Sequence, residues 1–426
     1  MIKNYLYRLL AKYLSFYVRP DNTTLEIKPK NDLLQKKLTS KHYETIDDIS
    51  EMKNQEYEYL ILNGTLHYEA DIQLFLENIY DKIPATTRLI ITYYSALWSP
   101  FVKLASLFGL RKKTKNTNWI THQDLDNFAL LTNFEIVQKQ VRVLCPVFIP
   151  ILSYILNRWV LPLPFFRNFG LVNIAVLRPK YKNPLANASV SVVVAARNEA
   201  GNIEDIVKRL PKMGKNDELI FVEGGSSDNT WDEILRIQEK YKDTLTIKLA
   251  KQDGKGKGDA VRKGFNMAEQ DILMILDADM TVPPEDLPKF YHSIKNDLGE
   301  FINGTRLVYP MEKEAMRFFN LIGNKFFAAA FSYTLSQPLK DTLCGTKVLS
   351  RQNYQKLAAN RNYFGDFDPF GDFDLLFGAS RLGLKIVELP ITYKARTYGS
   401  TNIERWKHGV ILLQMLWFAI RRIKFI

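Results

Sequence analysis

The reading turns on Ile272-Leu273-Met274-Ile275-Leu276-Asp277-Ala278-Asp279-Met280. Its first five residues form an uninterrupted apolar run, the pattern of a short strand buried on both faces of a parallel sheet. Two carboxylates, one residue apart, follow where the run ends. Open α/β sheets bind ligands at the carboxyl ends of their strands. An Asp-x-Asp pair at that place suits a divalent cation that also holds a diphosphate. Hard carboxylate oxygens favour Mg²⁺ or Mn²⁺, with phosphate oxygens and water completing the shell. Alone, the pair also fits a solvated turn, so its surroundings decide.

Upstream the same design repeats. A β-branched run over 189–195 reads as a buried strand, followed by Ala196-Arg197-Asn198-Glu199 and a helix over 202–210. A second strand over 219–222 ends in Glu223-Gly224-Gly225-Ser226-Ser227-Asp228-Asn229-Thr230, before a helix opening at Trp231. Two strand–loop–helix units with polar loops suit a nucleotide, while the lack of G-x-G-x-x-G excludes a dinucleotide fingerprint. Asp253-Gly254-Lys255-Gly256-Lys257-Gly258 then opens a helix over 259–268. Glycines ahead of a helix let backbone N–H groups face an anion, and Lys255 and Lys257 add charge.

The totals bound the alternatives. At 426 residues the chain has room for two or three domains. Its 58 Lys and Arg against 46 Asp and Glu give a net charge of +12, which favours an anionic partner. The basic residues are dispersed and no recognition motif is present, so nucleic acid is not expected. Cys145 and Cys344 have neither zinc spacing nor a disulfide framework and fit a reducing cytoplasm. Residues 1–14 lack the long apolar core of a signal peptide. No segment reaches the roughly 20 apolar residues of a membrane span.

The N-terminal half reads as a smaller α/β unit, with strands at 24–27, 57–63, 88–93 and 134–143 and a helix near 74–80. Residues 144–188 form a connector rich in proline and aromatics, where Pro146, Pro150, Pro162 and Pro164 prevent a continuous helix. This connector fits a packed bridge between domains, or a membrane-surface segment with Arg158, Trp159 and Arg167 at the interface. Residues 406–426 read as an amphipathic membrane-surface helix, basic at both ends.

In order, the motifs AARNE, EGGSSDNT, GKGKGDAVRKG, LDADM, NGTR, DTLCGTK, GDFDLLFGASRLG and RTYGST resemble an inverting GT-A glycosyltransferase of the large family-two group. Within that group the polyprenyl-phosphate branch, dolichol-phosphate mannose synthase-like, is most similar. The resemblance covers residues 189–405, about half the chain. It implies that Ala196, Arg197, Glu199, Glu223, Ser226 and Asp228 hold the nucleotide. Glu223 stands where the family usually has Asp. Gly256 and Lys257 would approach the base or diphosphate, Asp279 would ligate the metal, and Asp277 would lie nearer the ribose. Arg306, Arg396 and Ser400 would contact phosphates, a role suited to the planar guanidinium fork. Asp372 and Asp374 would serve as the catalytic acidic pair. Residues 1–143 resemble a class I S-adenosylmethionine methyltransferase that is truncated and degenerate: the loop after its first strand, Glu26-Ile27-Lys28-Pro29-Lys30-Asn31-Asp32, has no glycine.

The expectation is therefore an α/β protein with a C-terminal GT-A domain, moving a sugar from a UDP- or GDP-sugar with Mg²⁺ or Mn²⁺. Its acceptor would be a polyprenyl phosphate or glycolipid, and its place peripheral, at the cytoplasmic, inner face of a membrane. A transferase acting on a surface-polysaccharide glycan and a catalytically silent nucleotide-sugar-binding scaffold are the alternatives.

Overall fold

The structure, a computed structural model, describes residues 2–53, 56–108, 117–182, 185, 188–309, 318–363, 371, 373–396, 398 and 405–426. The chain divides into two compact units: Met1–Lys182 together with Ile420–Ile426, and Asn183–Ala419.

The first unit contains six strands: β1 Thr23–Ile27, β2 His42–Ile46, β3 Tyr59–Asn63, β4 Arg88–Tyr94, β5 Phe134–Arg142 and β6 Val172–Pro179. Their order is β2-β1-β3-β4-β6-β5. The first four in that order are parallel, and β6 runs antiparallel between β4 and β5. Leu60, Leu62, Leu89, Ile91 and Leu177 build one face of its core with Leu76 and Ile79 of the helix Ile72–Lys82.

Strand β6 corrects the expected boundary, since 144–188 is not a connector throughout. The four prolines all precede it, and all eight of its residues are buried. A strand buried on both faces is mostly apolar, and VNIAVLRP, interrupted by Asn173 and Arg178, merges with the apolar segment before it. Strand β2 also escapes a sequence reading: its residues HYETI are mostly half-exposed at the sheet edge.

Lys28, just after β1, adopts a left-handed backbone at φ 51°, a conformation uncommon outside glycine. Its ammonium pairs with Glu69 at 3.0 Å and lies over the Phe75 ring. Glu26, near the end of β1, is fully buried and accepts from Tyr43 Oη at 2.8 Å. Burial pushes its carboxyl up to about 7, against the opposing hydrogen bonds of Tyr43 and Asn63.

The last helix, Arg405–Ile423, buries Leu412, Met415, Leu416 and Ala419 and exposes Val410, Leu413 and Trp417. Its end is held by Arg142. Arg142 donates to the Lys424 carbonyl at 2.7 Å and to the Ile423 carbonyl at 2.8 Å. A cation on the last carbonyls satisfies their orphan acceptors and the helix dipole together.

The second unit contains β7 Val190–Ala196, β8 Glu218–Glu223, β9 Thr246–Lys251, β10 Ile272–Asp277, β11 Phe301–Thr305, β12 Lys347–Ser350 and β13 Ile386–Pro390. Their order is β13-β11-β12-β10-β7-β8-β9, with β12 antiparallel to both neighbours. This is the GT-A sheet. The apolar runs predict β7, β8 and β10. The half-exposed β9 and the four-residue β12 carry too little pattern to stand out. Helices Ala200–Arg209 and Thr230–Tyr241 supply Ile203, Ile206, Ile234 and Ile237 to the core. The chain runs from β7 outward to β9, then returns to place β10 on the other side of β7. The crevice above β7 and β10 is therefore the topological switch point, where such sheets bind ligands.

Candidate active site

At the switch point the ends of β7, β8 and β10 bring charged side chains together. Asp277 closes β10, and Lys257, at the start of the helix Lys257–Met267, pairs with it at 2.5 Å. Burial raises the Asp277 carboxyl, but Lys257, with help from Lys347 and Arg306, holds it below its ordinary value. Two residues on, Asp279 accepts from Thr281 N at 3.1 Å and Thr281 Oγ1 at 2.7 Å through one oxygen. Its other oxygen accepts from Arg396 at 2.7 Å.

Arg396 bridges two strand ends, because its other nitrogen reaches Glu199 at 3.2 Å. Glu199 is buried just after β7 and also accepts from Asn202 at 2.7 Å. Burial raises its carboxyl above the ordinary value, with Arg396 opposing. The loops after β7 and β8 lock together through Asn198, which is left-handed at φ 56°. Its N–H donates to Ser226 Oγ at 3.0 Å, and its Oδ1 accepts from Ser227 N at 2.7 Å. Glu223 accepts from Ser226 N, folding the acidic loop back on its own strand. Desolvation raises Asp228, yet hydrogen bonds from Thr230 and Ala200 keep it below its ordinary value. Tyr398 Oη adds a long bond to it at 3.4 Å. Ala196 is buried as the last residue of β7, and Arg197 beside it is exposed.

Two glycines allow close approach. A Cβ on Gly345 would collide with the Asp277 carboxylate and the Lys257 ammonium. Gly371, at φ 74°, lies against the Gly258 backbone, where a Cβ would overlap its Cα. This packs the start of the helix Phe373–Arg381 on the Gly256-Lys257-Gly258 turn, whose Gly256 has φ 85°. Asp374, in the first turn of that helix, is buried and accepts from Arg361 at 3.1 Å, with Arg262 at 3.8 Å. It lines a small cavity with Leu357, Asn360, Gly378 and Arg381.

Arg306 directly follows β11. Its fork is taken by the buried Asp341 in a bidentate pair, at 2.6 and 2.8 Å, and its plane lies over Tyr393. Asp372 and Ser400 lie outside the described residues. Sequence reasoning passed over Asn198, Thr281, Asp341, Gly345 and Tyr398 as individual site residues. All five stand inside or directly beside the motifs named above, so position was available as a signal, but pairing was not.

Among the described residues no cluster of three or more His, Cys, Asp or Glu is placed to hold a metal. The donor chemistry of Asp277 and Asp279 fits a hard divalent cation, provided a ligand supplies further oxygens.

In comparison with known proteins, residues 191–358 match the model of the family described as "Glycosyl transferase family 2". The dolichol-phosphate mannosyltransferase of Pyrococcus furiosus is 28% identical over 221 residues, covering 50% of this chain and 59% of that protein. The undecaprenyl-phosphate 4-deoxy-4-formamido-L-arabinose transferase of Edwardsiella ictaluri is 32% identical over 235 residues, covering 54% and 66%. The chain thus spans about two thirds or less of the length of these relatives. Mycobacterium tuberculosis glucosyl-3-phosphoglycerate synthase, solved with Mn²⁺ and UDP, aligns at a TM-score of 0.41 and 19% identity, covering 56% of this chain and 81% of that one. Over residues 191–358 the second unit is similar to family 2 glycosyltransferases, and its mixed seven-stranded sheet fits a GT-A fold.

Proposed function

We propose that this chain moves one sugar from a UDP- or GDP-sugar to a polyprenyl phosphate, as a peripheral protein at the cytoplasmic face of a membrane. The observation that carries the reading is the convergence of Asp277, Asp279, Glu199, Lys257 and Arg396 at the switch point of the sheet. The names of the relatives, which specify dolichol phosphate and undecaprenyl phosphate, support the acceptor class.

Ala196, Arg197, Glu199, Glu223, Ser226 and Asp228 would frame the base and ribose, and Gly256 the approach to them. Carboxylates at the strand ends accept from ribose hydroxyls. Asp279 and Asp277 would hold Mg²⁺ or Mn²⁺, which when bound neutralises diphosphate charge and polarises the leaving oxygens. Lys257 and Arg396 each pair with one of these carboxylates. With a donor in place both cations would turn to its phosphates, and Ser400 lies close to Arg396 in sequence. Arg306, engaged by Asp341, would act at a distance by its charge.

Inversion requires in-line attack by the acceptor oxygen. A phosphate acceptor is already anionic and needs little proton removal. Asp374, faced by Arg361 and Arg262, would orient those guanidinium groups toward the acceptor phosphate, with Asp372 beside it in sequence. The first unit would be a methyltransferase-like domain without cofactor chemistry. Its four parallel strands, followed by the antiparallel β6, support the resemblance. Lys28 fills the turn where that family needs glycine.

The test is nucleotide release from a panel of UDP- and GDP-sugars with Mn²⁺, with and without a short polyprenyl phosphate. The expected result is release from one donor, stimulated by the lipid and abolished by EDTA. Binding of a donor without turnover under any condition would favour the scaffold alternative.

A further inference from the structure

The first unit presents a surface whose polarity is inverted. Over residues 144–170 the chain forms a helical turn, Leu152–Ile155, that widens into the π-helical turn Leu156–Val160. Two polar side chains of this segment, Asn157 and Ser153, face inward. Asn157 is buried, accepting from Leu144 N and Cys145 N and donating to the Cys145 carbonyl, all at 2.8 Å. Ser153, four residues earlier, is buried and donates to the Ile149 carbonyl at 2.8 Å. Most of its large apolar side chains face outward, Leu161 excepted: Ile151 is 77% exposed and Phe165 67%, with Phe148, Tyr154, Ile155 and Phe169 also exposed. A water-facing helix shows the reverse arrangement, and monomeric proteins rarely expose a contiguous apolar patch of this extent.

The patch continues onto a second segment. Trp98 Nε1 donates to the Phe169 carbonyl at 3.0 Å. That joins it to the helix Ser99–Leu107, where Phe101 and Leu104 are exposed. The N-terminal helix Ile2–Leu14 meets the other side, with the Tyr5 and Phe148 rings 5.4 Å apart.

Charge identifies the partner. Residues 1–20, 82–123 and 136–182, which include all three segments, contain no Asp or Glu, while Lys and Arg recur in each. Arg158 lies over the Tyr154 and Trp159 rings, and Arg167 is exposed between Phe166 and Phe169. An apolar face set among cations, with aromatic rings at its border, matches an anionic lipid surface, which offers acyl chains to the first and headgroup phosphates to the second. A second copy of this chain would oppose like charge with like charge. No helix among the described residues is long and apolar enough to cross a membrane.

We infer that this face of the first unit docks in the plane of an anionic bilayer, through residues 147–169 and the helix Ser99–Leu107. The inference deepens the membrane contact proposed above and moves its main anchor away from the C-terminal helix. It stands on the first unit alone, so vesicle binding and sugar transfer can fail separately.

The test is co-sedimentation of the full chain with phosphatidylcholine vesicles, with and without phosphatidylglycerol. The chain should pellet with the anionic vesicles and be released by salt. Ile151→Ser with Phe165→Ser, both at exposed positions, should weaken binding at least tenfold while leaving the thermal transition unchanged. Phe101→Ser should weaken it several-fold. Arg158→Gln and Arg167→Gln should each cost about fivefold on anionic vesicles and little on neutral ones. Vesicle binding that survives the Ile151/Phe165 variant would overturn the assignment. So would self-association of the wild type, abolished by that variant, in a chain that ignores vesicles.

Discussion

Replacing Asp279 with Asn is expected to lower turnover about a thousandfold while the protein stays folded. Asn keeps the oxygen that accepts from Thr281 N and Oγ1, so the turn after β10 retains its hydrogen bonds. What it loses is the charge that now pairs with Arg396 and that would hold a cation against the donor diphosphate. Removing one preorganised electrostatic partner of a developing charge costs on the order of a hundred- to a thousandfold, about 3–4 kcal/mol at 1.36 kcal/mol per decade. The upper end applies because one substitution removes both the cation's ligand and the anchor of Arg396. Steady-state turnover over a Mn²⁺ titration measures it, with circular dichroism as the control for folding. Wild-type turnover at saturating Mn²⁺ would remove Asp279 from the metal site.

Replacing Asp341 with Ala is expected to destabilise the second unit by about 3–5 kcal/mol, the cost of leaving one partner of a buried pair uncompensated. Asp341 accepts from three groups of Arg306, including its backbone N–H, and from Leu343 N. Its removal strands a largely buried guanidinium beside Tyr393. The double variant Asp341→Leu with Arg306→Met should recover much of the loss, because it removes both charges rather than one. Urea unfolding followed by circular dichroism separates the cases. Equal stability of Asp341→Ala and wild type would show that the pair contributes nothing to the fold.

This pair also illustrates what a sequence conceals. Arg306 follows an apolar strand and has the side chain that binds phosphates, so position and chemistry both suggested a donor contact. Its partner is 35 residues away in sequence, and no local pattern announces it. The same holds for Arg396, whose lock on Asp279 and Glu199 joins residues far apart in the chain. Strands β7, β8 and β10 were legible because burial on both faces demands unbroken apolar runs. Strand β6 was hidden because its largely apolar sequence adjoins another that faces outward, and hydrophobicity alone does not distinguish a core strand from an outward-facing turn. The inward-facing Ser153 and Asn157 resolve that ambiguity, and only the fold gives their direction. The DTLCGTK motif gives Gly345 no role of its own, since its close approach to Asp277 is a fact of tertiary packing.

On the function proposed here, the switch-point site transfers sugar onto a lipid phosphate. The most direct measurement uses a radiolabelled nucleotide sugar, the donor identified by nucleotide release, incubated with the full chain, Mn²⁺ and a short polyprenyl phosphate, and then partitioned between butanol and water. Label should move into the butanol phase in step with nucleotide release, and should remain in water when Asp279→Asn replaces the wild type. Nucleotide release with all the label left in the aqueous phase would contradict a lipid-phosphate acceptor.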